Sequence, residues 1–289
     1  MDDFRLGEEP AQEPAEEPKK VWGLAVAILV ILAAAAAVYY FVFMKKTKPP
    51  VEPAPAAAAV QPAEGEAAPG GPAGEPLAFP AVGLGESDAA VREFAAVLST
   101  NPDFAKWLLT KDLVRKFVVS VDNVANGLSP RPHIDFFEPA GAFRVARSRS
   151  GTTVDPASYA RYDPVVRAAL SLDATAAARL YRAAKPLIKE AYDELGYPGV
   201  DFDDTLVRAM PELLETPVVE GPVKLEQKVL SFAMTDPALE GLSPAQKQLL
   251  RMGPKGVRAV HAKIRDLAAA LGIAASRLPQ PKTYAPGRP

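Results

Sequence analysis

The chain has 289 residues, 33 basic against 35 acidic side chains, a formal net charge of −2 at pH 7, two histidines and no cysteine. Without cysteine, and with His133 and His261 far apart in the sequence, it has no set of residues for a zinc or thiol site. It also contains no Gly-x-Ser-x-Gly elbow, no P-loop and no dinucleotide fingerprint, so no cofactor is expected.

Taken in order, residues 1–20 are acidic and carry prolines at 10, 14 and 18, which predicts a disordered tail. Residues 21–43 follow as an uninterrupted apolar run without a charge, bounded by Lys19 and Lys20 on one side and Lys45, Lys46 and Lys48 on the other. About 20 such residues cross the hydrocarbon of a bilayer as a helix, and Trp22, Tyr39 and Tyr40 suit the two headgroup regions. The run is too long for a signal-peptide core and ends in bulky residues, so we expect a single-pass anchor with the lipid bilayer as its partner. Flanking basic residues tie. The short acidic tail and the large C-terminal part favour a cytoplasmic N-terminus and a periplasmic C-terminal domain in a bacterial inner membrane, an orientation with which the lack of cysteine is compatible.

Residues 44–86 read as a Pro/Ala/Gly-rich linker. Nine prolines between Pro49 and Pro80 forbid a continuous helix and favour extended polyproline II, a spacer reaching on the order of 100 Å. Residues 87–279 are long enough for one mostly helical globular domain, and 280–289 read as a flexible tail.

Helix starts are marked by Ser87-Asp88, Asn101-Pro102, Asp155-Pro156, Asp163-Pro164, Asp236-Pro237 and Ser243-Pro244, each a capping side chain ahead of a helix-compatible residue. Asp173 opens a long helix to Leu195, kinked at Pro186 and stopped by Gly196. Another helix runs from Phe202 to Leu214. The last spans Pro254–Leu271, with Val257, Val260, Ile264, Leu267 and Leu271 as its apolar stripe and Gly272 as its stop. Strand evidence is limited to a hairpin between Phe143 and Val154 and partial alternation from Val223 to Phe232. The fold class expected is mostly α with at most a small β-hairpin.

Among candidate binding residues, Lys255, Arg258 and Arg265 share one side of the last helix, with His261 nearer the border of its apolar stripe. Arg144, Arg147 and Arg149 form a second basic cluster that could meet anionic lipid, wall polymer or an acidic partner. The turn Gly253-Pro-Lys-Gly256 superficially looks like a helix-hairpin-helix. It lacks the hydrophobic residue between its glycines and reads as a plain inter-helix turn, so no nucleic acid is expected. Asp201, Asp203, Asp204 and Glu194 are the candidates for carboxylate chemistry, although Asp-x-Asp-Asp ahead of a helix is economically a capping cluster. Tyr159, Tyr162, Tyr181, Tyr192 and Tyr197 could line a groove or fill the core.

Four blocks, Phe117–Asn123, Tyr159–Pro164, Lys185–Pro198 and Leu242–Pro254, resemble an uncharacterised family of Gram-negative bacteria, a domain of unknown function. The resemblance covers nearly all of 87–270 and implies an envelope setting, with no activity to carry over. The expected function is a membrane-anchored, non-catalytic interaction or scaffold module for a protein or wall polymer. The alternative is a carboxylate-dependent envelope hydrolase or lyase.

Overall fold

The computed structural model describes residues 77–134 and 138–286. The acidic tail, the expected anchor at 21–43 and the linker up to residue 76 lie outside the described residues. Among the described residues no helix is long and apolar enough to cross a membrane. Leu84 is buried and Phe79 packs on Phe94 with ring centroids 5.1 Å apart, so the folded part starts earlier than the expected boundary at 87.

Eleven α-helices follow among the described residues: α1 (Asp88–Ala96), α2 (Pro102–Trp107), α3 (Leu113–Ala125), α4 (Pro156–Ala160), α5 (Asp163–Leu170), α6 (Ala174–Ala183), α7 (Lys185–Glu194), α8 (Phe202–Leu214), α9 (Pro237–Glu240), α10 (Pro244–Leu250) and α11 (Gly253–Leu271). The capping chemistry that starts them is largely local. Asn101, Asp155, Asp173, Asp201 and Asp236 each accept a backbone N–H of the first turn, and Ser243 forms a reciprocal box with Gln246. Two expected caps differ. The Ser87 hydroxyl turns back to donate to the Leu84 carbonyl at 2.8 Å, and Asp163 is already the first residue of α5, behind Tyr162.

The helix expected from 173 to 195 is two helices rather than one kinked rod. Pro186 has no N–H to donate, and Ala184, at φ −85° and ψ 0°, leaves the helical region between α6 and α7. Gly196 takes φ 106° behind α7, and Gly272 caps α11 at φ 85°, conformations that cost L-residues a steric penalty.

Strands exceed the single hairpin expected. β1 (Val145–Ser148), β2 (Gly151–Val154), β4 (Lys224–Gln227) and β5 (Phe232–Met234) form an antiparallel sheet in the order β1-β2-β4-β5, while β3 (Val218–Val219) pairs in parallel with β6 (Thr283–Tyr284). The registers Val145↔Val154, Thr152↔Leu225 and Leu225↔Met234 align the four strands. β6 lies in the stretch expected to be a flexible tail; the Tyr284 hydroxyl donates to Asp236 at 2.6 Å.

Five apolar clusters hold the elements together among the described residues, three of them larger than the rest. Val114 and Val118 of α3 meet Leu187, Ile188 and Tyr192 of α7; Met210 and Leu214 of α8 meet Ile264 and Ala268 of α11; Val223 and Leu225 of the sheet meet Leu239 and Leu250. Helix α8 thus shares its two sides between α3 and α11, and the site described next lies along that seam.

Candidate functional site: an apolar groove along α3, α8 and α11

Where three helices converge, small gaps in side-chain size leave space. Leu113, Phe117 and Val124 of α3, Leu206, Met210 and Leu213 of α8, and Ile264 and Leu267 of α11 line a groove of about 380 Å³. Pro130 and Ile134 flank it. Lys116 is the charged residue of its lining and Ser120 is its hydroxyl. The Ser120 Oγ is buried without a hydrogen-bond partner among the described residues. A second pocket of about 360 Å³ adjoins it and shares Leu113, Phe117, Leu206, Met210 and Leu267. Its far wall is α6, where Ala177 and Ala178 stand in place of side chains that would fill it.

Both volumes lie within the roughly 300–1,000 Å³ typical of small-molecule sites, and both linings are predominantly apolar. Phe117 lines both compartments and remains 40 % exposed, although its neighbours Val114 and Val118 on α3 are buried. A large ring left in water at the edge of an apolar recess is the informative kind of exposure.

The residues singled out in the sequence fall elsewhere. Lys255 is exposed on α11. Arg258 pairs with Glu220, and the Arg265 guanidinium donates to the Pro279 carbonyl at 2.6 Å. His261 is a correction: it is 3 % exposed, beneath the surface expected to carry it. Its Nε2 lies 3.0 Å from the Leu213 carbonyl, so Nε2 carries the proton, and Nδ1 is buried without a partner among the described residues. Burial pushes the imidazole below its ordinary value, the Leu213 contact opposes this, and the nearby Arg265 charge adds to it.

Of the candidate carboxylates, Asp201, Asp203 and Glu194 are engaged, whereas Asp204 is exposed on α8 and makes no ion pair among the described residues. Asp201 caps α8 by accepting the Asp203 N–H at 2.9 Å. Asp203 accepts from the Tyr181 hydroxyl and from Lys185 Nζ, each at 2.5 Å; burial works to raise it, and these two bonds outweigh burial and hold it low. Glu194 takes a two-pronged bond from Arg115, at 2.7 and 3.0 Å, which lowers it. Neither Asp203 nor Glu194 resembles an acid poised to donate near neutral pH. The carboxyl that burial raises is Asp122, outside the sequence candidates. Asn126 and Arg208 pull it partly back, and its Oδ1 has no hydrogen-bond partner among the described residues.

Two of the five tyrosines are core, and Tyr197 is exposed. Tyr162 and Tyr192 are buried, Tyr197 stacks on Tyr192 at 4.7 Å, and Tyr192 shares a 2.8 Å hydroxyl bond with Thr205. Tyr181 lines the second pocket. Tyr159 explains the glycine turn: a Cβ on Gly253, at φ 69°, would stand 2.7 Å from Tyr159 Cγ, and one on Gly256 would stand 2.6 Å from Met252 Cβ. The turn is glycine-rich because neighbouring side chains occupy the space. Four sequence blocks therefore meet in two pairs, Phe117–Asn123 with Lys185–Pro198 and Tyr159–Pro164 with Leu242–Pro254.

Residues 113–268 match a family described as a protein of unknown function, DUF3014. The chain belongs to this family. No curated protein and no solved structure matches it. The family span opens at the start of α3 and closes within α11, so it contains every residue that the three helices give to the groove, while α1 and α2, which contribute to the adjoining pocket, precede it.

Proposed function

We propose that the domain is a non-catalytic binding module that accommodates a single long apolar chain, such as a fatty acid, in the groove along α3, α8 and α11. The observation that carries this reading is the groove lining: a continuous apolar wall with one cation, Lys116, and one hydroxyl, Ser120. A wall polymer needs many hydrogen bonds and would find few here, whereas an acyl tail needs none. The engaged state of Asp203 and Glu194 favours binding over hydrolysis or lyase chemistry.

The module is further proposed to sit in the periplasm of a Gram-negative cell, tethered by the Pro/Ala/Gly-rich stretch from residue 44 to the start of the folded part to a single-pass anchor at 21–43. A reporter active only in the cytoplasm, joined after Pro289, is then silent; strong signal reverses the orientation.

Photolabelling tests the ligand. The full chain, reconstituted in vesicles with a diazirine-bearing palmitate, should be labelled on the peptide containing Leu206–Leu213, and unlabelled palmitate should compete. Ala209→Leu, which fills the groove from its floor, should suppress that label and leave any label on 21–43 unchanged. Labelling of the groove peptide that neither palmitate nor the filling substitution reduces would exclude this reading.

A further inference from the structure

The four-stranded sheet brings two hairpin tips to one end. β1 runs into the turn Arg149–Ser150 and β2 returns from it, with Ser148 opposite Gly151. β2 pairs with β4 in the register Thr152↔Leu225 and Thr153↔Lys224, so β4 climbs toward the end from which β2 descends. It finishes in the turn Lys228–Ser231, closed by a 2.9 Å bond from Lys228 N–H to the Ser231 carbonyl, before β5 descends with Gln227 opposite Phe232.

That second tip is unusual in its chemistry. Hairpin tips favour Gly, Asn and Asp. Here Val229 and Leu230 occupy it, 98 % and 97 % exposed, and support no core. Beside them are three basic residues: Arg147 and Arg149 on the first hairpin and Lys228 on the second. Arg147 and Arg149 make no ion pair among the described residues, whereas Lys228 is 2.8 Å from Glu226, the acidic residue of these two tips.

We propose that this end of the sheet docks on an anionic bilayer surface, with Val229 and Leu230 entering the headgroup–acyl boundary and Arg147 and Arg149 meeting lipid phosphates. Exposed aliphatic side chains rimmed by cations fit that boundary on both counts, apolar area and charge. A soluble acidic protein would match the arginines but would leave the two aliphatics in water. The bilayer lies within the linker's reach if 21–43 is the anchor, a clause that rests on the anchoring reading above; the patch itself does not.

Because the chain has no cysteine, Val229→Cys gives a single labelling site for a nitrobenzoxadiazole probe, and Leu230→Cys gives a second should the first perturb folding. The labelled full chain is reconstituted with phosphatidylcholine alone or with an equal mixture of phosphatidylcholine and phosphatidylglycerol. In the anionic vesicles the probe should shift to the blue and be quenched by a headgroup nitroxide lipid, and added salt should reverse both. Each basic residue at an anionic surface is worth about a factor of five, so Arg147→Gln with Arg149→Gln should lower the docked fraction relative to the undocked about thirtyfold. Identical emission in the two lipid compositions overturns the proposal. A shift that follows protein density rather than lipid charge also overturns it and assigns the tip to a second copy. Flotation with phosphatidylcholine vesicles reads the anchor separately. If it fails while the probe still shifts on anionic vesicles, the anchor is lost and the docking stands.

Discussion

At the scale of single residues, the buried polar groups without partners define where the fold is sensitive. Asp122 is 8 % exposed, and burial disfavours its charged form. Its folded value is raised, so any advantage of the protonated form is present at acid pH and is lost as pH rises through that value. Asp122→Asn should therefore stabilise the protein at pH 7 by about 1 kcal/mol, and the gain should vanish below the ordinary carboxylate range, as read by urea titrations at the two pH values. Gly253 is sensitive for a steric reason. Gly253→Ala combines positive φ with a collision on the Tyr159 ring and should cost more than about 1 kcal/mol in the same assay. An unchanged midpoint would mean that the turn relaxes freely.

At the scale of elements, α11 shows how a face that looks solvated becomes structural. Lys255 remains a plain surface residue, and Lys255→Glu should change stability by less than about 0.5 kcal/mol. Arg258→Glu sets a like charge beside Glu220, and Arg265→Glu leaves the Pro279 carbonyl without its donor. Exposure of the first pair limits its worth to roughly 0.2–1 kcal/mol. The triple substitution should nonetheless lower stability by about 2 kcal/mol, most of it from Arg265, measurable by thermal melting of the three single variants and the triple. The same helix marks the limit of legibility. Its start, stripe and glycine stop follow from local chemistry, as do the caps at Asn101, Asp155, Asp173, Asp236 and Ser243. The partners Glu220 and Pro279 are remote in sequence, and nothing in the α11 pattern points to them. The groove was hidden for a related reason. Phe117, Leu206, Met210 and Ile264 sit at helical spacing that reads as ordinary core, and only the separation of three helices distinguishes a wall from a filled interior. The strands β4 and β5 are short, and β2 reaches β4 across five helices, so alternation alone could not assemble the sheet.

For the molecule as a whole, His261 ties stability to mild acid. Its folded value lies below the ordinary one of about 6.5. Its contribution is therefore complete above pH 6.5 and declines as pH falls toward the folded value, where protonation of Nδ1 would put an unpartnered charge between α8 and α11 near Arg265. Unfolding free energy should drop between pH 7 and pH 5. His261→Gln, which can still donate to the Leu213 carbonyl, should flatten that slope. A slope unchanged in the variant would move the titrating group elsewhere.

The parallel pair β3–β6 also dictates an order of events during synthesis. Val218 and Glu220 donate their backbone N–H groups to the carbonyls of Lys282 and Tyr284. Val218 and Val219 are both buried. Until residues 282–284 reach it, β3 remains an unpaired apolar edge of the kind that templates strand addition between chains. Slow delivery of that stretch should therefore prolong the interval in which two nascent copies can join through β3, and a holding chaperone would be needed there rather than at the helices.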